Sequence, residues 1–518
     1  MRKVVGRAVI GVALAGLVAS AQAQETAGAV VTKQYDDGSV YEGTFRDGVQ
    51  NGTGTYRLPN GYEYSGAWVA GEIRGQGVAR YPDGSVYEGD FLGGKPYGRG
   101  KITYADGGSY EGDWVDGQIT GDGVARYADG SVYDGQFEAA VHQGQGKLTS
   151  PGGAVYEGGW VAGLKEGAGV FRYPDGTVYE GGMKAGLRAG KGKLTLPDGL
   201  IYDGDWAEGQ INGQGKLTQP NGDVYEGGFV GGERQGQGRM TYKTGAVYEG
   251  GFAGDARAGK GSFRAPDGYA YTGDWVAGRM EGMGKLTYAD GAVYEGAFKA
   301  DLPEGRGKIT YRDGAGYEGT WVAGRIEGKG RASYADGAVY DGAFVNGEAT
   351  GQGVLTRPDG YRYEGTWTAG KRTGKGKATY PDGSTYSGDF VDGVRQGTGA
   401  FVMGDGFRYV GQWDKGEMTG KGIATYANGD VYEGAFVAGK RQGAGVLRYA
   451  DGKESAGTWL NGILVEAPPV PEGAAAPAPA APGAAAAPAE APAPANPPPA
   501  ADAPAAATPA PVETAPKP

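Results

Sequence analysis

The chain has 518 residues, of which 107 are Gly and 28 are Pro. Gly is well short of the one third in strict G-X-Y order that collagen needs. No Cys excludes a disulfide framework, a thiol nucleophile and a thiolate metal site, and a single His removes His-pair metal sites. The net charge of −11 makes the chain a poor ligand for nucleic acid or anionic lipid, whose binding is driven by Lys and Arg.

The N-terminus carries Arg2, Lys3 and Arg7, then a short apolar run from Ala8 to Ala19, then Ala21-Gln22-Ala23. This order predicts a secretory signal peptide over 1–23, cleaved after Ala23. The apolar run is too short for a spanning helix. Losing its three positive charges takes the net charge from −11 to −14. The pattern is of bacterial style, so a periplasmic or secreted protein is expected. Residues 24–30 read as a short linker.

From about 31 to 462 the chain repeats every 23 residues. Eighteen tyrosines mark the period from Tyr41, Tyr64 and Tyr87 to Tyr432, with no insertion, and Ser455 holds a nineteenth slot. Numbering from Tyr as position 0, Gly stands at +2, an aromatic at +4 and usually Gly at +7. Gly follows at +11 and +13, an apolar residue at +15, often Tyr at +17. Asp or Asn then Gly usually close the unit at +19 and +20. A fixed period of this length means an array of one supersecondary unit.

Alternation with period 2 predicts strands. One runs from about −1 to +5 and one from about +11 to +17, joined by a looser loop at +6 to +10. Asp-Gly at +19/+20 predicts a tight type I′ turn into the next repeat. Each repeat is then a β-hairpin. With half repeats at both ends the array has 38 strands in one antiparallel meander, a twisted or superhelical ribbon. Gly at +2, +11 and +13 is expected to share a face with the rings, so that rings lie over bare main chain. All nine Trp occupy +4, mostly alternating with Phe; Met183 fills one slot, and the alternation slips between Phe229 and Phe252.

A single sheet has no second layer to cover its apolar face. An exposed aromatic stripe is therefore expected, as a surface for a protein partner or for a second copy in a homodimer. Its mid-array members are Trp160, Trp206, Phe229, Phe252 and Trp275, with Tyr202, Tyr225, Tyr248 and Tyr271. Glycan or peptidoglycan stacking on the rings is an alternative, and association with membrane phospholipid is another, disfavoured by the negative charge. On the opposite face, position +1 is mostly acidic, as in Glu88, Glu111 and Glu295. Equivalent carboxylates lie about 9.6 Å apart, too far to share a metal, and cross-strand charge pairs with +14 and +16 are expected.

The residues Tyr110-Glu111-Gly112-Asp113-Trp114 and Gly121-Asp122-Gly123, at period 23, resemble the MORN repeat (membrane occupation and recognition nexus). The resemblance covers about 31–462. It implies a β-hairpin array acting as a scaffold or interaction element, sometimes dimeric, and sometimes linked to phospholipid. Ala140, Asp255 and Asp301 depart from Gly at +7, where altered loops are expected.

No phosphate loop of the form G-x-x-x-x-G-K-[ST] is present. One G-x-G-x-x-G, at Gly314, Gly316 and Gly319, has no helix behind it. His142 is expected alone in a solvent-exposed loop. The reading is a non-enzymatic scaffold with no cofactor, no metal and no nucleic acid. Residues 463–518, rich in Ala and Pro, are expected to be a disordered tail with polyproline II character.

Overall fold

The computed structural model describes residues 28–466; the expected signal peptide and the Ala/Pro tail beyond 466 lie outside them. The described chain is all β, with strands numbered β1 (Val31–Gln34) to β39 (Ile463–Glu466) in chain order. The chain divides into two units, Met1–Gln210 and Ile211–Pro518. Within the first, strands from β1 to β16 (Ile201–Ala207) form an open antiparallel meander in which each strand pairs with its sequence neighbours. Within the second, strands from β17 (Gln210–Thr218) to β39 do the same. The sequence led us to expect a single exit strand. Instead β38 (Glu454–Leu460) turns at Asn461–Gly462 into the short β39, which starts inside the expected tail.

One repeat of the second unit shows why the pattern folds this way. Strand β26 (Gly316–Val322) ends at Ala323 and Gly324, whose φ values are 47° and 80°. Strand β27 (Arg325–Ser333) follows at once, with Val322 opposite Arg325. Two residues at positive φ make a type I′ turn, whose twist matches the strands it joins. The tight turn is therefore at +6/+7, where a loose loop was expected. Non-Gly residues rarely hold such a φ. Here Ala323 N–H donates to Glu304 Oε2 (2.8 Å) and Gly324 N–H to Pro303 O (2.9 Å), both in the preceding repeat. Each turn is thus fastened to the hairpin before it.

The Asp-Gly connection is wider than expected. Tyr334 N–H donates to Ala338 O and Gly337 N–H to Tyr334 O. Only Gly337 has positive φ, while Asp336 Oδ1 accepts from Ala338 N–H (2.9 Å). This is a three-residue loop, a type I turn closed by a left-handed Gly, with Asp making an Asx-turn.

Gly at +11 also differs from expectation. Register runs Gly319↔Gly330 and then Trp321↔Ile326, so Glu327–Lys329 bulge opposite Thr320. Gly328 in that bulge has φ 69°, and a Cβ on it would face Thr320 rather than the rings. The three departures at +7 leave the turn intact. Ala140, Asp255 and Asp301 hold φ of 64°, 66° and 72°, and their N–H groups keep the bond to the previous hairpin.

Gly at +2 and +13 behaves as expected. Gly319 and Gly330 face each other across the ladder, and a Cβ on either would overlap the Tyr317 ring. The ring lies flat on bare main chain, and its Oη donates to Thr320 O (3.2 Å). Trp321 Nε1 donates to Gly307 O of the preceding repeat (3.2 Å). Each hairpin contacts mainly its neighbours, so stability is a sum of nearest-neighbour terms.

Candidate interaction faces

The ring face carries the nine residues expected to form the site. In the first unit Trp160 lies edge-on to Tyr133 and Tyr156, with centroids at 5.3 and 5.4 Å. Trp206 sits likewise between Tyr179 and Tyr202, at 5.3 and 5.5 Å. In the second unit Phe252 bridges Tyr225 and Tyr248 at 4.9 and 5.2 Å. Trp275 bridges Tyr248 and Tyr271 at 5.3 and 5.1 Å, and Phe229 packs on Tyr225 at 5.1 Å. Each edge-to-face pair contributes about 0.5–1.5 kcal/mol beyond burial. In the second unit Phe229, Tyr225, Phe252, Tyr248, Trp275 and Tyr271 form a continuous row, whereas in the first Met183 stands between Trp160 and the Trp206–Tyr202 pair.

They are not exposed. All nine are at most 5% accessible, and the four tyrosines at most 1%. The open aromatic stripe is therefore corrected to a buried keel. Its cover is the residue at +9, which the two-residue turn places opposite +4 on the ring face. His142, in β11 (Val141–Thr149), stacks on Tyr133 at 3.7 Å and 13°. Lys165 lies over Tyr156 and Trp160, and Arg188 over Tyr179 and Trp206. In the second unit Arg257 lies 4.3 Å from Trp275, and Arg395 lies 4.5 Å from Trp413. These cation–π contacts, desolvated on one side, are worth about 0.5–2 kcal/mol each.

Position +9 carries no signal in the sequence as long as +6 to +10 reads as a loop. Counting two residues for the turn would have paired +9 with +4. His142 is accordingly half-buried in a strand, not alone in a loop. Its Nε2 is 2.6 Å from Tyr127 Oη. Desolvation, then the Lys165 charge, holds its pKa below the ordinary value. Desolvation also lowers Lys165. Burial raises the pKa of the position-0 tyrosines, among them Tyr41, Tyr179 and Tyr225, and pushes Tyr64, Tyr248 and Tyr317 up to about 12.

The opposite face is polar and open. Neighbouring repeats exchange ion pairs between +14 and +1, as Lys216–Glu226 (3.0 Å) and Lys285–Glu295 (2.8 Å). Others join +12 to +3, as Lys191–Asp205 and Lys375–Asp389, both 2.7 Å. The expected cross-strand pairs are present; being exposed, each is worth at most about 1 kcal/mol. On this face the main chain of +2 and +13 forms the floor of a groove between the side chains at +1, +12 and +14. In the first unit a groove of about 880 Å³ has Glu88, Lys101, Glu111 and Asp122 on its walls and Gly89 and Gly100 in its floor. In the second, one of about 710 Å³ is walled by Glu364, Lys377, Gln412 and Lys421 over Gly388 and Gly399. Among the described residues no group of three or more His, Asp or Glu is arranged to hold a metal ion.

An open antiparallel array of repeated hairpins defines an all-β repeat protein. The family model of the MORN repeat matches eighteen consecutive segments, from 41–61 and 64–86 through to 409–431 and 432–454, and the chain belongs to this family. A 50-residue stretch is 46% identical to Alsin of Rattus norvegicus; it is 9% of this chain and 3% of that relative's length. Two solved structures overlap parts of the array. One is the TCP10 domain of Danio rerio CPAP in complex with a peptide of STIL (14% identity, 52% of this chain, 93% of that chain, TM-score 0.18). The other is the TCP10c domain of Drosophila melanogaster Sas-4 (14% identity, 34% of this chain, 93% of that chain, TM-score 0.18). TM-scores this low carry no structural argument.

Proposed function

We propose that this chain is an exported, non-enzymatic scaffold that holds a protein partner in the glycine-floored polar groove of its hairpins. The observation carrying this reading is the contrast between faces. The rings are spent on holding hairpin to hairpin, whereas the grooves offer accessible charge and bare main chain at a fixed spacing. Bare main chain lets a partner's backbone approach closely, and the charge pattern selects and steers it. Export rests on Arg2, Lys3, Arg7, the apolar run and Ala21-Gln22-Ala23.

The test is capture of an identified envelope protein by the full chain, with insoluble peptidoglycan and liposomes as parallel arms. Lys377→Glu with Lys421→Glu should weaken capture about tenfold or more, as reversing charges at a docking site does, while thermal unfolding stays unchanged. Equal capture by that variant, or retention by peptidoglycan or liposomes without any protein partner, would sink the proposal.

A further inference from the structure

The array ends in two halves of one strand. A complete long strand runs from +8 to +16, as β27 does from Arg325 to Ser333. The last, β39, stops at +11, Glu466. The first, β1, holds only +13 to +16. Its Val31 lies opposite Gly43 and its Gln34 opposite Val40 of β2 (Val40–Arg46), the register that Gly54 and Arg57 take against Gly66 and Glu63 one repeat on.

Each half leaves an edge open. Residues 454–457 of β38 pair with β37 (Lys440–Arg448) on one side and have no strand on the other among the described residues. The outer side of β1 is likewise unpaired there, and its four residues are exposed. The last hairpin's own sequence is unsuited to filling the gap. Its +13 and +14 are Pro468 and Pro469, and of two adjacent strand residues one has to aim an N–H at the neighbouring strand. An open strand edge is a template for another chain.

The two halves match residue by residue. Laid beside residues 454–457 of another copy in the array's own register, Val31 falls opposite Gly457 and Lys33 opposite Ser455. In the eighteen tyrosine repeats position 0 is Tyr and +13 is Gly, because the ring lies on that Gly; a Cβ on Gly54 would overlap Tyr41. At the two ends of the array both positions change. Ser455 has no ring, and Val31 has a side chain. These departures compensate each other only where the ends meet.

The turn and the ring face match as well. From Gly71 to Gly462, each turn N–H at +7 donates to the carbonyl at +9 of the hairpin before. Gly48 is the first +7 residue and Leu464 the last +9 residue, so the joint offers Leu464 O to Gly48 N–H. The +9 side chain also covers the +4 ring of the next repeat, as Arg257 covers Trp275 and Arg441 covers Trp459. Phe45, the first +4 ring, is half-buried, whereas every later +4 residue, from Trp68 to Trp459, is buried. Joining places Leu464 over Phe45.

We propose that copies of this chain join head to tail, β1 of one copy completing the strand that β39 of another begins, so that the ladder runs on from copy to copy. Residues 28–30, which form no strand, turn aside at the joint. A heterologous contact of this kind builds an open filament, or a ring where the rotation closes. It uses neither the keel nor the groove, so it stands or falls apart from the function proposed above.

Sedimentation of the full chain should show masses that rise stepwise with concentration past the dimer. A monomer throughout, or a dimer that goes no further, overturns the proposal. Ser455→Tyr sets a ring against Val31 and should weaken association about tenfold or more, as overpacking does. Adding Val31→Gly to that variant should restore it, with the β-sheet circular dichroism unchanged in both. Undiminished association of Ser455→Tyr, or no rescue by Val31→Gly, contradicts the pairing. The chain has no Cys, so the joint can also be trapped. Opposed residues of a ladder lie about 4.5–5.5 Å apart at Cα, within disulfide reach. Chains carrying Lys33→Cys, mixed with chains carrying Ser455→Cys, should give a mixed disulfide dimer on mild oxidation. Absence of that dimer, or closure of a doubly substituted chain on itself as a monomer, overturns head-to-tail joining.

Discussion

Replacing Gly399 by Ala destabilises the second unit by about 3 kcal/mol, whereas the same change at Gly404, five residues on, is neutral. Gly399 lies opposite Gly388 and Gly411 in the ladder, beneath the Tyr386 ring. A Cβ there would stand 2.5 Å from Tyr386 Cε2, closer than any real contact. The ring has to lift. It then gives up the bond from its Oη to Asp389 O (3.0 Å) and its contacts with Phe390 and Trp413, both at 5.1 Å. Overpacking costs about 1–3 kcal/mol, and a lost buried hydrogen bond adds about 1. Gly404 has no positive φ, and its nearest neighbour would be Asp382 O at 3.9 Å. Ala at such a site is neutral or gains about 0.4–1 kcal/mol through the unfolded chain. Denaturant midpoints of the two variants check this, and equal midpoints would remove the close approach from the explanation.

Trp413→Ala should cost about 3–5 kcal/mol, and Trp413→Phe about 1–2. Trp413 is 2% exposed and stands edge-on to Tyr386 and Tyr409 at 5.1 and 5.3 Å. Its Nε1 donates to Gly399 O (3.1 Å), and the Arg395 guanidinium lies over it. Ala leaves two tyrosine edges and a desolvated cation facing a cavity. Arg395 is ill placed to bear that, since its Nη2 reaches Gly416 O (2.7 Å) while its buried Nη1 makes no hydrogen bond. Phe keeps the edge-to-face geometry, as neighbouring Phe390 does with Tyr363 and Tyr386 at 5.0 and 5.1 Å. What it loses is the indole donor and some volume. Hydrogen exchange read hairpin by hairpin should show the loss centred on the strands beside Trp413. If Phe proves as damaging as Ala, the interchange of Trp and Phe along the array has another cause.

Much of this could be read before any coordinates. The spacing of Tyr, Gly and Trp at 0, +2, +4 and +13 carries both the strand assignment and the resting of rings on main chain, because only Gly leaves room there. The turns were harder to place. Asp-Gly is a strong turn signal, but Asp336 has no positive φ; the left-handed pair is Ala323–Gly324, and Ala advertises nothing of the kind. It is held there by Glu304 and Pro303 of the previous repeat, a contact no single repeat reveals. That misplacement hid position +9, and with it His142, Lys165, Arg188, Arg257 and Arg395. Hence the rings read as exposed although side chains across the turn cover them. The bulge at Gly328 escaped for the same reason, since alternation counts residues and cannot register extra ones.

The most direct measurement is an alkaline titration of tyrosine absorbance followed together with the β-sheet signal. Burial first of all raises the position-0 tyrosines above the free value of 10, to about 12 at Tyr64, Tyr110, Tyr202 and Tyr432. A raised folded pKa means that their contribution is complete below pH 10 and is lost as the pH climbs toward 12. Ionisation of these phenols should therefore be held back to about pH 12 or above and should coincide with collapse of the sheet. Full ionisation near pH 10 with the sheet intact would mean that the rings do not lie sealed against the glycine backbone.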